Sequence, residues 1–325
     1  MSAVFQSFLT EPIQQYKTYC ELTSSWHHDK EKIIRRFDKF CFENYQNNQV
    51  LPQEAVDQYF LKQETETANS CRARVFPAIG LIRYMNIHGF CSIDIPEIPD
   101  NMPCTYVPHI MTDEELRHFF TVCDTLPKYS SLVEDYNRRL TVPVIFRLLY
   151  SSGLRPYEAR MIEVDDINLE TGVVRIREVK GKYQHHIVLH DTVIKMMAEY
   201  DQEIKHFYPD RKYFFPGNAR TPFVSQQWLS RNFKELWSVV NNSYSRPYDF
   251  RHNYAIRNIN SWEGGNLSEQ YSKLVYLSLS MGHRSLNSTR YYYAYSPTMA
   301  ELICKRTSEG IDMILPEIDY EDFIK

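Results

Sequence analysis

The sequence predicts a mainly helical chain with a small antiparallel β-sheet, divided into two domains. Residues 1–92 carry irregular amphipathic helical patterning. Residues 93–110, IDIPEIPDNMPCTYVPHI, hold four prolines and few helix formers, so the chain is expected to run extended there. Beyond them the helical period returns and is broken by two short alternating segments around a Lys-Gly-Lys tip, the pattern of a β-hairpin. These observations divide the 325 residues into a helical domain over 1–95, a linker over 96–106, and a second domain with a C-terminal tail over 107–325. That length allows each part its own core.

In the first domain, KEKIIRRFDKFCFENY and SCRARVFPAIGLIRYMNIHG mix basic and aromatic residues. Such a face can follow a phosphate backbone, or it can be an ordinary solvated helix surface. After the linker, Thr112 and Glu115 form a capping box, and Leu116, Phe119, Phe120 and Cys123 give the helix behind it an apolar face. A second helix, PVIFRLLYSSG, is expected to stop at Gly153, and Pro156 suits the first turn of the next. Thr171 and Gly172 turn the chain into the strand VVRIREV. Lys180, Gly181 and Lys182 make the tip, and QHHIVL returns. Asp191 is expected to cap a helix running through Tyr200. Within SQQWLSRNFKELWSVV, Leu229, Phe233, Leu236, Trp237 and Val240 share one helical face and read as core. Helical patterns follow over 249–260 and 267–281, the latter closed by Gly282.

Composition excludes some classes. Hydrophobic residues make up 43% and charged residues 24%, ordinary for a globular protein. The sequence has no run of about 18 apolar residues. MSAVFQSFLTEPIQQY does not have the form of a secretory signal, so a cytoplasmic protein is expected. The seven cysteines (20, 41, 71, 91, 104, 123, 304) are scattered and form no CxxC pair. Free thiols are expected, without disulfides or a zinc site. His185 and His186 are strand neighbours that point to opposite faces, which argues against a shared metal. Net charge is −4, yet residues 301–325 alone hold seven acids and three bases, leaving a neutral body of 34 bases and 34 acids. That balance neither requires nor forbids a nucleic-acid partner.

Three stretches concentrate chemistry: SSGLRPYEARMIEVDDI around Arg155, RPYDFRHNYA around Arg251, and MGHRSLNSTRYYYAY from Met281 to Tyr295. Singly, each arginine reads as a surface or salt-bridging residue, and Gly282 with His283 as a helix end. In this order and spacing they resemble the tyrosine recombinase, or phage integrase, family over about residues 107–300. Gly153, Leu154, Arg155 and Glu158 match its GLR-x-x-E motif, and Lys180 its hairpin lysine. Asp249, Phe250, Arg251 and His252 match most of H-x-x-R-H, and Met281, Gly282 and His283 match LGH. Tyr292, nine residues beyond His283, falls at the family's nucleophile.

The resemblance implies a DNA strand-exchange enzyme that cleaves and rejoins through a covalent 3′-phosphotyrosine, with no metal or cofactor. Arg155 and Arg251 would grip the non-bridging phosphate oxygens with fixed guanidinium geometry. Lys180 would protonate the leaving 5′ oxygen, with Lys182 the alternative on the same tip. His283 would bond the phosphate or orient Tyr292, and Glu158 would hold neighbouring groups. Spacing selects Tyr292 over Tyr291, Tyr293 and Tyr295, since successive helical residues point about 100° apart. One departure matters. Tyr248 stands where the family has histidine, and a phenol titrates near 10 against about 6.5 for imidazole. Tyr248 can donate to a phosphate or merely pack, and base catalysis then falls to His252 or matters less here. The stretch NINSWEGGNLSEQYSK is longer than the family pattern.

The partners implied are double-stranded DNA and a homo-tetramer on paired sites. Residues 296–325, with Ile303, Ile311, Met313, Ile314 and Leu315, either dock on a neighbouring subunit or form a helix with a disordered acidic end. The rival readings are a type IB topoisomerase and a non-catalytic DNA-binding relative.

Overall fold

The computed structural model describes residues 5–102, 106–128, 132–177, 184–218, 221–262 and 267–295. The chain divides into two compact units, residues 1–106 and 107–325. Both are mainly helical.

The first unit contains α1 (Thr10–Leu22), α2 (His28–Tyr45), α3 (Gln53–Phe60) and α4 (Ala68–Ile87). Local chemistry sets the helix starts. The His27 ring accepts the Lys30 amide at 3.1 Å before α2, and the Thr67 hydroxyl accepts the Ser70 amide at 3.1 Å before α4. Ile13, Ile34, Phe37, Val56, Val75 and Leu81 fill the core between the helices. Buried Asp38 fastens the segment ahead of α1, accepting from the Ser7 hydroxyl at 2.6 Å and the Gln6 amide at 2.8 Å. The free thiols Cys20, Cys41 and Cys71 are buried in this unit, and free Cys123 is buried in the second.

The second unit begins with α5 (Asp113–Asp124), opened by the capping box of Thr112 and Glu115. Next come α6 (Val133–Ser152), α7 (Pro156–Met161), β1 (Val173–Ile176), β2 (His185–Val188) and α8 (Asp191–Lys205). A second pair of strands, β3 (Pro216–Asn218) and β4 (Thr221–Phe223), leads to α9 (Gln226–Val240) and α10 (Asp249–Asn260). The described chain ends with α11 (Leu267–Ser280), α12 (Asn287–Arg290) and a 3-10 segment over Tyr291–Tyr295. Strands β1 and β2 are antiparallel, with Val174 opposite Ile187 and Ile176 opposite His185. Three local expectations need correction. The cap of α8 is His190, not Asp191, and that helix continues past Tyr200 to Lys205. Val240 is only half-buried. The β3–β4 hairpin was not anticipated because Pro216 and Pro222 weaken any strand pattern. Gly217 makes it possible: a Cβ there would lie 2.2 Å from the Thr221 carbonyl oxygen.

The core of this unit converges on Phe119. Its ring centroid lies 5.1 to 5.8 Å from those of Phe146, Phe233, Trp237 and Phe250, joining α5, α6, α9 and α10. Burying Phe250 there fixes the rotation of α10 and turns the next residue, Arg251, toward the end of α6. Among the described residues no helix is long and apolar enough to cross a membrane, and no cluster of His, Cys, Asp and Glu could hold a metal ion.

Candidate active site

Two helix ends build the site. Helix α6 stops at Gly153, whose φ of +65° is left-handed, and a Cβ there would also strike the Tyr254 ring at 2.3 Å. The chain then turns through Arg155 into α7. Helix α11 stops in the same way at Gly282, with φ +60°. There the His185 ring of β2 would lie 2.6 Å from an added Cβ. Glycine is needed at both positions for two reasons, backbone conformation and close approach.

The carbonyls freed at these ends receive the arginines. Arg251 is 1% exposed and donates from Nη1 to Gly153 O at 2.8 Å and from Nη2 to Met281 O at 2.7 Å. Arg155 donates from Nη1 to Met281 O at 3.3 Å and from Nη2 to Gly282 O at 3.2 Å. Glu158 joins the two arginines. Its carboxylate accepts the Arg155 amide at 2.8 Å and Nη1 at 2.6 Å, and lies 4.0 Å from Arg251 Nη1. One buried carboxylate thus faces two guanidiniums. Burial pulls the Arg251 pKa down, and the nearby Arg155 charge pulls in the same direction.

Tyr292 is 4% exposed, whereas Tyr291 is 44% exposed and its hydroxyl bonds that of Tyr295 at 3.0 Å. Burial raises the Tyr292 pKa; the nearby Arg251 and Arg155 guanidiniums pull it back, while Tyr248 adds to the rise. The nucleophile candidate, both arginines and Tyr248 therefore share one locus. His283 stacks on Tyr292 with ring centroids 6.3 Å apart and 16° between planes, and its Nδ1 lies 2.7 Å from the Thr289 hydroxyl. The buried His252 ring is 5.1 Å from the Tyr248 ring and 5.6 Å from that of Tyr292. Burial depresses its pKa to about 4, with Asp249 opposing and Arg246 and Arg251 assisting. Its imidazole is neutral at ordinary pH.

The structure therefore brings together Arg155, Glu158, Tyr248, Arg251, His252, His283 and Tyr292. Lys180 and Lys182 lie outside the described residues. Sequence reasoning missed Thr289 and the Met281 and Gly282 carbonyls. Backbone acceptors leave no side-chain signature, and only the glycine hinted at them.

This geometry can be set beside known proteins. The phage integrase family model matches residues 109–299. The chain belongs to the phage integrase family. Among curated members, the Sinorhizobium fredii protein y4rE, an integrase/recombinase by its name, is 25% identical over 203 residues, covering 61% of this chain and 64% of that one. For three such relatives the match spans 51 to 64% of their own length. Two solved structures share the fold. XerH site-specific recombinase bound to difH substrate has a TM-score of 0.55 and 15% identity, covering 85% of this chain and 78% of that one. The Tn1549 transposon integrase in complex with transposon right end DNA has a TM-score of 0.53 and 14% identity, covering 91% and 99%.

Proposed function

We propose that this phage integrase family member is a site-specific DNA recombinase using Tyr292 as nucleophile. The observation that carries the reading is the buried Tyr292 phenol beside Arg251 and Arg155, both fixed on the carbonyls of two helix ends. Preorganised charge of this kind lowers the barrier most where charge accumulates in the transition state. The Tyr292 oxygen attacks the scissile phosphorus and the P–O5′ bond breaks. A 3′-phosphotyrosine and a free 5′ hydroxyl result. Attack by another 5′ hydroxyl reverses the step and releases tyrosine, so no energy source is consumed.

The two guanidiniums hold the phosphate's non-bridging oxygens. Lys180, or Lys182, gives the leaving oxygen its proton. Tyr248 donates a hydrogen bond to the phosphate, while His283 orients Tyr292 and Glu158 holds the arginines. Neutral His252 packs against the Tyr248 and Tyr292 rings. Its depressed pKa makes it a weak base, so base catalysis matters less here. Residues 1–95 bind duplex DNA, the enzyme acts as a homo-tetramer, and residues 296–325, which lie outside the described residues, dock on a neighbouring subunit. DNA as partner is supported by the complexes of like fold, and a cytoplasmic setting by the scattered cysteines, which form no CxxC pair.

The test begins with a duplex selected from a random pool by the intact chain. Versions of it nicked near each phosphate trap a covalent adduct, read on a denaturing gel. Tyr292→Phe is expected to bind the duplex normally and form no adduct. An adduct that persists in this variant removes Tyr292 from the reaction.

A further inference from the structure

Arg160, in α7, is 5% exposed, and among the described residues no carboxylate lies within ion-pair distance of it. Its Nε donates to Pro156 O at 3.2 Å and its Nη1 to Val224 O at 3.0 Å. The guanidinium carbon lies 5.5 Å from the Tyr157 ring centroid and 5.8 Å from that of Phe223. Two carbonyls and two aromatic rings thus fix the group and leave its outer edge, Nη2, without an acceptor among the described residues. Arg160 lines a cleft of about 480 Å³ together with Arg155, Arg246, Tyr248, Gln226 and Ser230. No acidic side chain is among the residues lining it. Arg155 and Arg246 each have a carboxylate partner outside the lining, Glu158 at 2.6 Å and Asp249 at 3.7 Å.

We infer that Arg160 is a phosphate ligand, its outer edge meeting a phosphodiester of the bound strand beside the one held by Arg155. A buried guanidinium without a counter-ion is unfavourable until an anion arrives, so the cleft is built to receive negative charge. Gln226 and Ser230 add uncharged donors, which suit phosphate oxygens. Arg155 already faces the reacting phosphate from the same cleft, and the next anion along a strand is another phosphate. This inference rests on the proposed reaction and extends its contacts to a further phosphate.

A bracing role for Arg160, tying α7 to the start of α9, predicts a different result from a ligand role. The measurement is affinity for the selected duplex as a function of KCl, for the wild-type chain, Arg160→Met and Arg160→Gln. Each lost phosphate contact lowers the slope of log K against log salt by about 0.9. Both variants are expected to lose that amount, with affinity reduced roughly tenfold at low salt. A scan of single methylphosphonates along the duplex locates the contact. The wild-type chain should weaken at one phosphate next to the scissile one, where the variants should weaken no further.

An unchanged slope and an unchanged methylphosphonate profile would overturn the inference, whatever happens to affinity. If Arg160→Met does not fold, Arg160→Gln decides alone, since its amide can still donate to a carbonyl. Failure of the wild-type chain to bind duplex DNA would remove the recombinase reading and the inference with it. Wild-type binding with unaltered variants removes the inference only.

Discussion

Arg74 in the first unit and Arg251 in the second are both enclosed arginines, held in opposite ways. Arg74 meets Glu66 through two hydrogen bonds, Nε to Oε1 at 2.9 Å and Nη2 to Oε2 at 2.8 Å. The remaining donors reach the Tyr59 and Leu61 carbonyls. That pair is closed and electrically neutral, and its hydrogen bonds hold the Glu66 pKa down and the Arg74 pKa up. Arg251 instead places its two terminal nitrogens on the carbonyls of Gly153 and Met281, and shares the carboxylate of Glu158 with Arg155. A carbonyl satisfies an N–H without cancelling its charge. The first arrangement braces a fold; the second leaves positive charge uncancelled, as the proposed phosphate contact requires.

Substitution should separate the two roles. Arg251→Lys cannot span both carbonyls, because an ammonium lacks the guanidinium fork. It is expected to slow single-turnover adduct formation by roughly 10² to 10³-fold while duplex binding changes far less. Arg74→Ala should destabilise its unit by about 2 kcal/mol, since it leaves a shielded Glu66 unpaired. It should leave the cleavage rate of bound duplex unaltered. Equal losses of binding and cleavage in Arg251→Lys would break the contrast.

Glu158→Gln gives a smaller effect and sharpens the comparison. The amide oxygen can still accept the Arg155 backbone N–H, but the shared negative charge is gone and an N–H₂ group competes with Arg155 Nη1. Two buried guanidiniums then repel with less compensation. We expect a loss of stability of roughly 1–3 kcal/mol in thermal melting and about a tenfold loss in cleavage. A cleavage loss as large as that of Arg251→Lys would mean that Glu158 takes part in the reaction itself.

Which parts of this were legible in the sequence follows from the physics of each signal. The capping box at Thr112 and Glu115, the stop at Gly153 and Pro156 at the start of α7 depend on single residue types, and each lies where the sequence placed it. The hairpin of β3 and β4 depends on a glycine tolerating a close carbonyl, and its prolines concealed it. Tyr292 was chosen by its distance from His283. Its burial next to an exposed Tyr291 reflects packing that no local pattern encodes. Arg160 lies inside the stretch SSGLRPYEARMIEVDDI and carries no signal of its own, because what sets it apart is the lack of a carboxylate partner among the described residues. Such an absence is a property of three-dimensional surroundings and cannot be read from a string.

The histidines offer the mildest contrast between the units. His27, His28 and His88 of the first unit are exposed, whereas His252 of the second is buried. The His252 imidazole stays neutral in the folded chain down to about pH 4, against 6.5 in its ordinary state. Between those values the unfolded chain binds a proton that the folded chain refuses. Stability is therefore fully present above the ordinary value and drains away as pH falls through this window. Asp249 counters the effect, and Arg246 and Arg251 reinforce it. His252→Phe keeps a flat ring between Tyr248 and Tyr292 but cannot titrate. It should reduce the acid loss of the second unit by about 1–2 kcal/mol, read as a smaller gap between melting curves at pH 7 and pH 5, and leave the first unit's transition alone. An unchanged gap would show that His252 is accessible to protons in the folded chain, and that the locus beside Tyr292 is wetter than its burial implies.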